Sequence, residues 1–363
     1  MKKKFTILAA VAIVVIWAGL SLCAWLLPAK ESSDSERRPL AQFPKVSAEK
    51  IFSGAFAEDF EEYTLDQFPL REGFRSIKAM FHRYVLGNRD NNGIYIVDDS
   101  AAELEERLDE ESVKHALKQF NLVYDLYLQE SDCKIYNAVV PDKGFYLAEA
   151  NGYPAMDYAA LFQMMEQGMP WAEQIDLTGQ LTIEDYYRTD LHWRQENIKP
   201  LAAHIAEAMG VSTEKDFVPT ALERPFYGVY YGQAALPMDP EMMYVMESNL
   251  IKACRVYNYT EDCYTEIYDP AKLESKDLYD IYLSGPQSLL RIENPNATTD
   301  RELVIFRDSF GSSLAPLLLQ DYAAITLVDL RYIQTQRLGN YLEFTNQDVL
   351  FLHSTLVLNK KLI

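Results

Sequence analysis

The chain has little of what would give it an unusual architecture. Its 363 residues include 4 cysteines, 15 glycines and 16 prolines, which excludes a collagen-like or Pro-rich polymer. After the first 27 residues only Cys133, Cys254 and Cys263 remain, too few and too unevenly spaced for a disulfide scaffold or a cysteine-based zinc site. Histidine is scarce, and His82, His115 and His204 lack a neighbouring His or Cys at ligand spacing, so neither a metal nor a cofactor is expected. Basic charge is also short, at 34 Lys and Arg against 54 Asp and Glu, a net charge of −20. Such a surface makes a poor partner for nucleic acid. No internal repeat and no low-complexity tract is present. What the chain does have is apolar material, 48% hydrophobic and 12% aromatic residues, enough for one large α/β domain with additions or two modest domains.

The longest apolar run lies at the start. Phe5 to Leu27 contains no charged residue and is long enough, at about 1.5 Å per residue, to cross a hydrocarbon core of about 30 Å. Lys2, Lys3 and Lys4 are expected to stay cytoplasmic, so the remainder faces outward as a single-pass ectodomain. A cleaved signal peptide, giving a secreted chain, is the alternative; it lacks a good cleavage site, and Leu22 before Cys23 is too bulky for a lipoprotein box. Residues 1–27 therefore read as an anchor. Residues 28–46 (PAKESSDSERRPLAQFPKV) are polar and read as a linker lifting the folded part off the membrane.

Residues 47–92 carry apolar side chains at helical spacing over Ser47 to Gln67 and Pro69 to Leu86. From residue 93 the pattern alternates: a strand at Gly93 to Val97, a helix at Glu103 to Glu130 and a buried strand at Lys134 to Val140. Helices follow at Met156 to Gly168 and Arg194 to Gly210, and strands at Leu303 to Phe306, Ala323 to Val328 and Val349 to His353. This is the rhythm of a mostly parallel sheet flanked by helices. A Tyr-rich alternating region, about 220–285, reads as a β insertion. A hairpin about Asn258 and Tyr259 would bring Cys254 opposite Cys263, which leaves a disulfide there open.

Two strings can carry chemistry. In TDLHW, Asp190 and His192 lie two positions apart, so one carboxylate can hold one imidazole nitrogen and free the other as a base; helix capping by Asp190 is the structural alternative. In LVIFRDSFGSS, an apolar strand runs into a small-residue turn that opens a helix, which presents Ser309 at the carboxyl edge of a sheet. This is not the G-x-S-x-G elbow, because Asp308 and Phe310 flank the serine, and capping by Ser309, Ser312 or Ser313 is the alternative.

The string TDLHW followed by RDSFG, with QFPLREGF, VVPDKGFYL, ITLVDLRY and DVLFLHSTLVLN in order, resembles the DHHW proteins. More distantly it is similar to the AlgX and AlgJ proteins of alginate acetylation, which have an SGNH-hydrolase-like fold. One departure is Leu191, where the DHHW string has histidine. The resemblance implies an SGNH-hydrolase-like α/β domain over residues 93–363 and a triad of Ser309 as nucleophile, His192 as base and Asp190 as its orienter. A serine hydroxyl needs such a base, and the base such a carboxylate. Arg307, Lys143 and Trp193 are weaker candidates for substrate contact, the first as an anion clamp and the last as a stacking surface; pairing with Asp308, a solvated loop and a core position are the respective alternatives. His353 is an alternative base. The expected function is acyl transfer, chiefly O-acetyl, or ester hydrolysis on cell-envelope or exported polysaccharide, with a membrane-bound partner supplying the acyl group. The rivals are a non-catalytic glycan-binding or scaffold component of an envelope assembly and an anchor protein that binds another protein through its acidic face.

Overall fold

A computed structural model describes residues 2–363, and Met1 lies outside them. The chain divides into two compact units, residues 1–92 with 231–237, and residues 93–230 with 238–363.

The first unit opens with α1 (Lys2–Leu26), within which Lys4–Leu26 is long and apolar enough to cross a membrane. The polar segment after it is not a free linker. It forms a small hairpin of β1 (Ser32–Ser33) and β2 (Arg38–Pro39). Arg38 then makes a bidentate pair with Asp66 at 2.8 and 2.6 Å, and Asp66 also accepts from the Ala41 N–H at 2.9 Å. This pair holds the Asp66 carboxyl at about 2. The helical run expected over Ser47 to Gln67 is broken at Gly54, whose φ of 87° closes α2 (Ala48–Ser53) and starts α3 (Ala55–Asp66). The left-handed Leu70 then precedes α4 (Arg71–Tyr84).

The second unit begins with the hairpin β3 (Ile94–Val97) and β4 (Ser100–Glu103). Helix α5 (Glu110–Val123) is capped by Asp109 and buries Val113, Ala116, Phe120 and Val123 on one face. Strand β5 (Lys134–Val140) runs into Asp142, which caps the short α6 (Lys143–Leu147) through the Gly144 N–H. Next come α7 (Tyr158–Gly168), β6 (Glu173–Gln174) and α8 (Lys199–Ala208). Residues 218–247 form a separate hairpin of β7 (Val218–Phe226) and β8 (Glu241–Glu247). Then β9 (Arg255–Asn258), β10 (Cys263–Thr265) and β11 (Leu289–Glu293) lead to β12 (Glu302–Arg307), α9 (Phe310–Leu314), β13 (Ala324–Val328), β14 (Asp348–Ser354) and α10 (Thr355–Asn359).

The main sheet has eight strands in the order β10-β9-β11-β13-β12-β14-β5-β6. From β13 to β6 all neighbours are parallel, and β11, β9 and β10 add antiparallel strands at one end. Within the expected insertion, about 220–285, β9 and β10 therefore extend this sheet, while β7 and β8 stand apart as their own hairpin. Strands β12, β13 and β14 read as near-continuous apolar runs because both of their faces are covered. Leu201, Ile205 and Leu314 pack on one face with Ile305 and Leu350, and Phe120, Leu161 and Met165 on the other with Val304 and Phe351. Asn258 pairs with Cys263, and Val256 with Thr265, so the hairpin turn falls at residues 259–262. Cys254 thus sits beyond the reach of Cys263 in register, and both are free thiols.

Candidate active site

The carboxyl edge of the parallel strands, where side chains of several strands converge, carries the candidate residues. Strand β12 ends at Arg307, and Asp308 fixes the turn that follows. Its Oδ1 accepts from the Phe310 N–H at 3.0 Å and its Oδ2 from the Ser354 N–H at 2.7 Å, which ties the turn to the end of β14. Gly311 is required here: a Cβ at this position would lie 2.7 Å from the Arg307 Cβ. The consequence is a half-buried Ser309 at the mouth of α9.

Asp190 and His192 sit on a tight turn closed by a bridge between Tyr186 and Trp193 and by the Tyr187 N–H donating to the His192 carbonyl at 3.0 Å. Asp190 Oδ1 accepts from the His192 N–H at 3.0 Å and lies 2.6 Å from His192 Nδ1, while Oδ2 accepts from the Val229 N–H at 2.8 Å. His192 Nε2 is 2.7 Å from Ser309 Oγ across 117 residues of chain. A carboxylate accepts only, so Nδ1 carries the proton facing it, and in the neutral ring Nε2 is left to accept from the serine. Tyr279 stacks on His192 at 3.8 Å with the rings 9° apart, and its hydroxyl lies 2.7 Å from Ser313 Oγ. Burial pushes that phenol well above its ordinary value, so it stays neutral beside the imidazole.

The three weaker candidates are all buried, and none offers a surface to a substrate. Trp193 is 0% exposed, lies edge-on to Phe310 and donates from Nε1 to Ser313 Oγ at 2.8 Å. Arg307, 1% exposed, runs beneath the first turn of α9, with Asp329 at 3.7 Å and its Nε and Nη2 without a hydrogen-bond partner. Burial lowers its basicity. Lys143 is 2% exposed, because the capping turn at Asp142 aims it inward instead of into solvent. Its ammonium donates to the carbonyls of Tyr187, Arg188 and Asp190 at 2.7, 3.0 and 3.2 Å, so it grips the backbone that carries the acid and the imidazole. From the other side Glu241 accepts from the N–H groups of Arg188 and Thr189 at 2.9 and 2.8 Å. His353 lies 4.7 Å from Phe120, its ring tilted by 32°, and is buried, which pushes it down to about 4 and holds it as a neutral core residue, not a base. Tyr279 and Glu241 carry no signature in the sequence that marks them out, since each lies in an alternating segment of the Tyr-rich region. Among the described residues, no group of three or more His, Cys, Asp or Glu side chains could hold a metal ion.

The domain is thus a mostly parallel α/β sheet flanked by helices, with a serine, a histidine and an aspartate side chain brought together at its carboxyl edge. The family model for DHHW protein matches residues 179–328, a stretch that contains TDLHW and RDSFG, so the resemblance read from those strings holds. No curated protein matches the chain. Among solved structures, a DHHW family protein from Eubacterium siraeum is similar over 74% of this chain and 93% of its own, at 19% identity and a TM-score of 0.55. Bacillus cereus PatB1, solved with a sulfonyl adduct, is similar over 74% of this chain and 96% of its own, at 17% identity and a TM-score of 0.57.

Proposed function

We propose that the protein is a membrane-anchored, extracytoplasmic serine acyltransferase or esterase of SGNH-like type that acts on cell-envelope or exported polysaccharide. The observation that carries the reading is the chain of contacts from Ser309 Oγ to His192 Nε2 at 2.7 Å and from His192 Nδ1 to Asp190 at 2.6 Å. Ser309 attacks the acyl carbonyl as its proton passes to Nε2, and Asp190 stabilises the imidazolium that results. The Phe310 and Gly311 N–H groups are spent on Asp308, which leaves the Ser309 N–H as the donor that this turn offers to the oxyanion. The imidazolium then returns its proton to the leaving alcohol. A sugar hydroxyl or water, deprotonated by the same nitrogen, then bonds to the acyl carbon, and the bond to Ser309 Oγ breaks as the oxygen takes that proton back from Nε2.

The likeness of the two strings to the alginate acetylation proteins supports acetyl as the acyl group. A membrane-bound partner would supply it, because the ectodomain lies outside the compartment that holds acyl thioesters. The three lysines before the apolar helix support an outward-facing ectodomain. The test is hydrolysis of a small acetyl ester by wild type and by Ser309→Ala. Activity lost in the variant supports the enzyme, whereas equal rates, or none in either protein, support the scaffold reading.

A further inference from the structure

We propose that α4 lies on the membrane surface beside the anchor, with its apolar stripe inserted among the lipids. Leu70, Phe74, Ile77, Phe81 and Tyr84 recur at spacings of four and three, which places them on one side of the helix. All five are exposed, Leu70 at 76%, Ile77 at 60% and Tyr84 at 76%. The opposite side is the packed one, with Ala79 at 0% and Arg75 donating to the Gly232 carbonyl at 2.9 Å. The helix therefore leaves its apolar side, not its polar side, without cover.

What covers that side follows from where the chain is tied. The apolar run ends at Leu27, and three residues later the backbone of Lys30 is already held: its N–H donates to Gln67 Oε1 at 2.8 Å and its carbonyl accepts from Gln67 Nε2 at 2.9 Å. Three residues span at most about 10 Å, and the polar layer of a bilayer is about 5–8 Å deep on each side. Gln67, three positions before Leu70, is thus held at that layer. A 14-residue helix that starts there presents its stripe to lipid with no further chain to order.

Charge agrees with this occupant. Within residues 70–85 Arg71 and Arg75 are paired with Glu36 and Glu72, so the positive charge that the helix offers a surface is that of Lys78 and Arg83, in a chain of net charge −20. Lys78 borders the stripe and Glu72 does not, which suits an anionic headgroup surface. A second copy is a poorer fit, since the 4-3-4-3 spacing lasts only two heptads, short of the three to four that a stable coiled coil needs.

The inference rests on the anchor being retained, and the test separates the two. The full chain is reconstituted in vesicles of phosphatidylglycerol and phosphatidylcholine containing a phospholipid with a diazirine in its acyl tail, irradiated, and mapped by peptide mass spectrometry. Adducts are expected on α1 and on residues 70–85. In Ile77→Glu/Phe81→Glu the yield on 70–85 falls about tenfold or more while that on α1 is unchanged; far-ultraviolet circular dichroism equal to wild type shows that the variant folds. Adducts confined to α1, or residues 70–85 cross-linked to a second copy, overturn the inference and leave the anchor standing. Absence of the peptide 1–27 from the mature chain overturns both.

Discussion

Replacing Lys143 by methionine removes three hydrogen bonds without adding bulk, and its effects on stability and on the site should separate. Charge-assisted hydrogen bonds contribute about 1.5–3 kcal/mol each, so the three to Tyr187, Arg188 and Asp190 favour the ammonium by about 5–9 kcal/mol. Burial opposes them, since it lowers the amine from 10.5 to about 7, which corresponds to about 5 kcal/mol against the charged form. The two nearly offset. Methionine fills the same slot and sheds the desolvation cost, but it takes the ammonium from three carbonyls, of which that of Arg188 still accepts from the Ala101 N–H at 2.7 Å. The unfolding free energy in urea is expected to fall by no more than about 4 kcal/mol, with the fold retained. The turn that carries Asp190 and His192 loses the lysine's hold on three of its carbonyls while Glu241 and the Val229 N–H keep theirs, and a misplacement near 1 Å costs on the order of 100-fold in rate. The assay is kcat/KM for a small acetyl ester alongside urea unfolding. A variant that loses stability but keeps wild-type kcat/KM would refute the positioning argument.

Other consequences follow from single contacts. Asp190→Asn replaces one of the two accepting oxygens by an NH2 donor, set against either His192 Nδ1 or the Val229 N–H, and removes the charge that stabilises the imidazolium, so ester turnover should fall by about 10³–10⁴ in a p-nitrophenyl acetate assay. Gly311→Ala drives a methyl group to within 2.7 Å of the Arg307 Cβ, so it should cost about 1–3 kcal/mol by urea unfolding and also slow ester turnover through the displaced Ser309 turn. His353 titrates near 6.5 when unfolded and at about 4 when folded, so the unfolded chain binds the extra proton between these values. Stability should then fall by about 3 kcal/mol as pH drops from 6.5 to 4, and His353→Phe should flatten that part of the curve in denaturant titrations.

The parts of the fold visible in the sequence were those whose local pattern and tertiary role agree. Strands β12, β13 and β14 are near-continuous apolar runs because they are buried on both faces, and RDSFG announces its turn through small residues. The residues that act through the backbone were hidden. Lys143 looks like a solvated lysine after a strand, and only the Asp142 cap turns it inward. Residues 28–46 are polar enough to read as a tether, yet the Arg38–Asp66 pair folds them onto α3, an interaction across 28 residues that no local pattern reveals. The Cys254–Cys263 pairing rested on a turn at Asn258 and Tyr259, and a displacement of two residues sufficed to separate them. Trp193 and Arg307 were legible as residues of the site region but not as buried supports, since composition does not say which side of a turn a side chain takes.

The most direct measurement is the site of covalent modification when the full chain reacts with p-nitrophenyl acetate and, separately, with an aryl sulfonyl fluoride. Peptide mass spectrometry should find one acetyl or sulfonyl group on Ser309, strongly reduced in His192→Ala. A protein that stays unmodified, or carries the group equally on other hydroxyls, would contradict the claim that His192 activates Ser309.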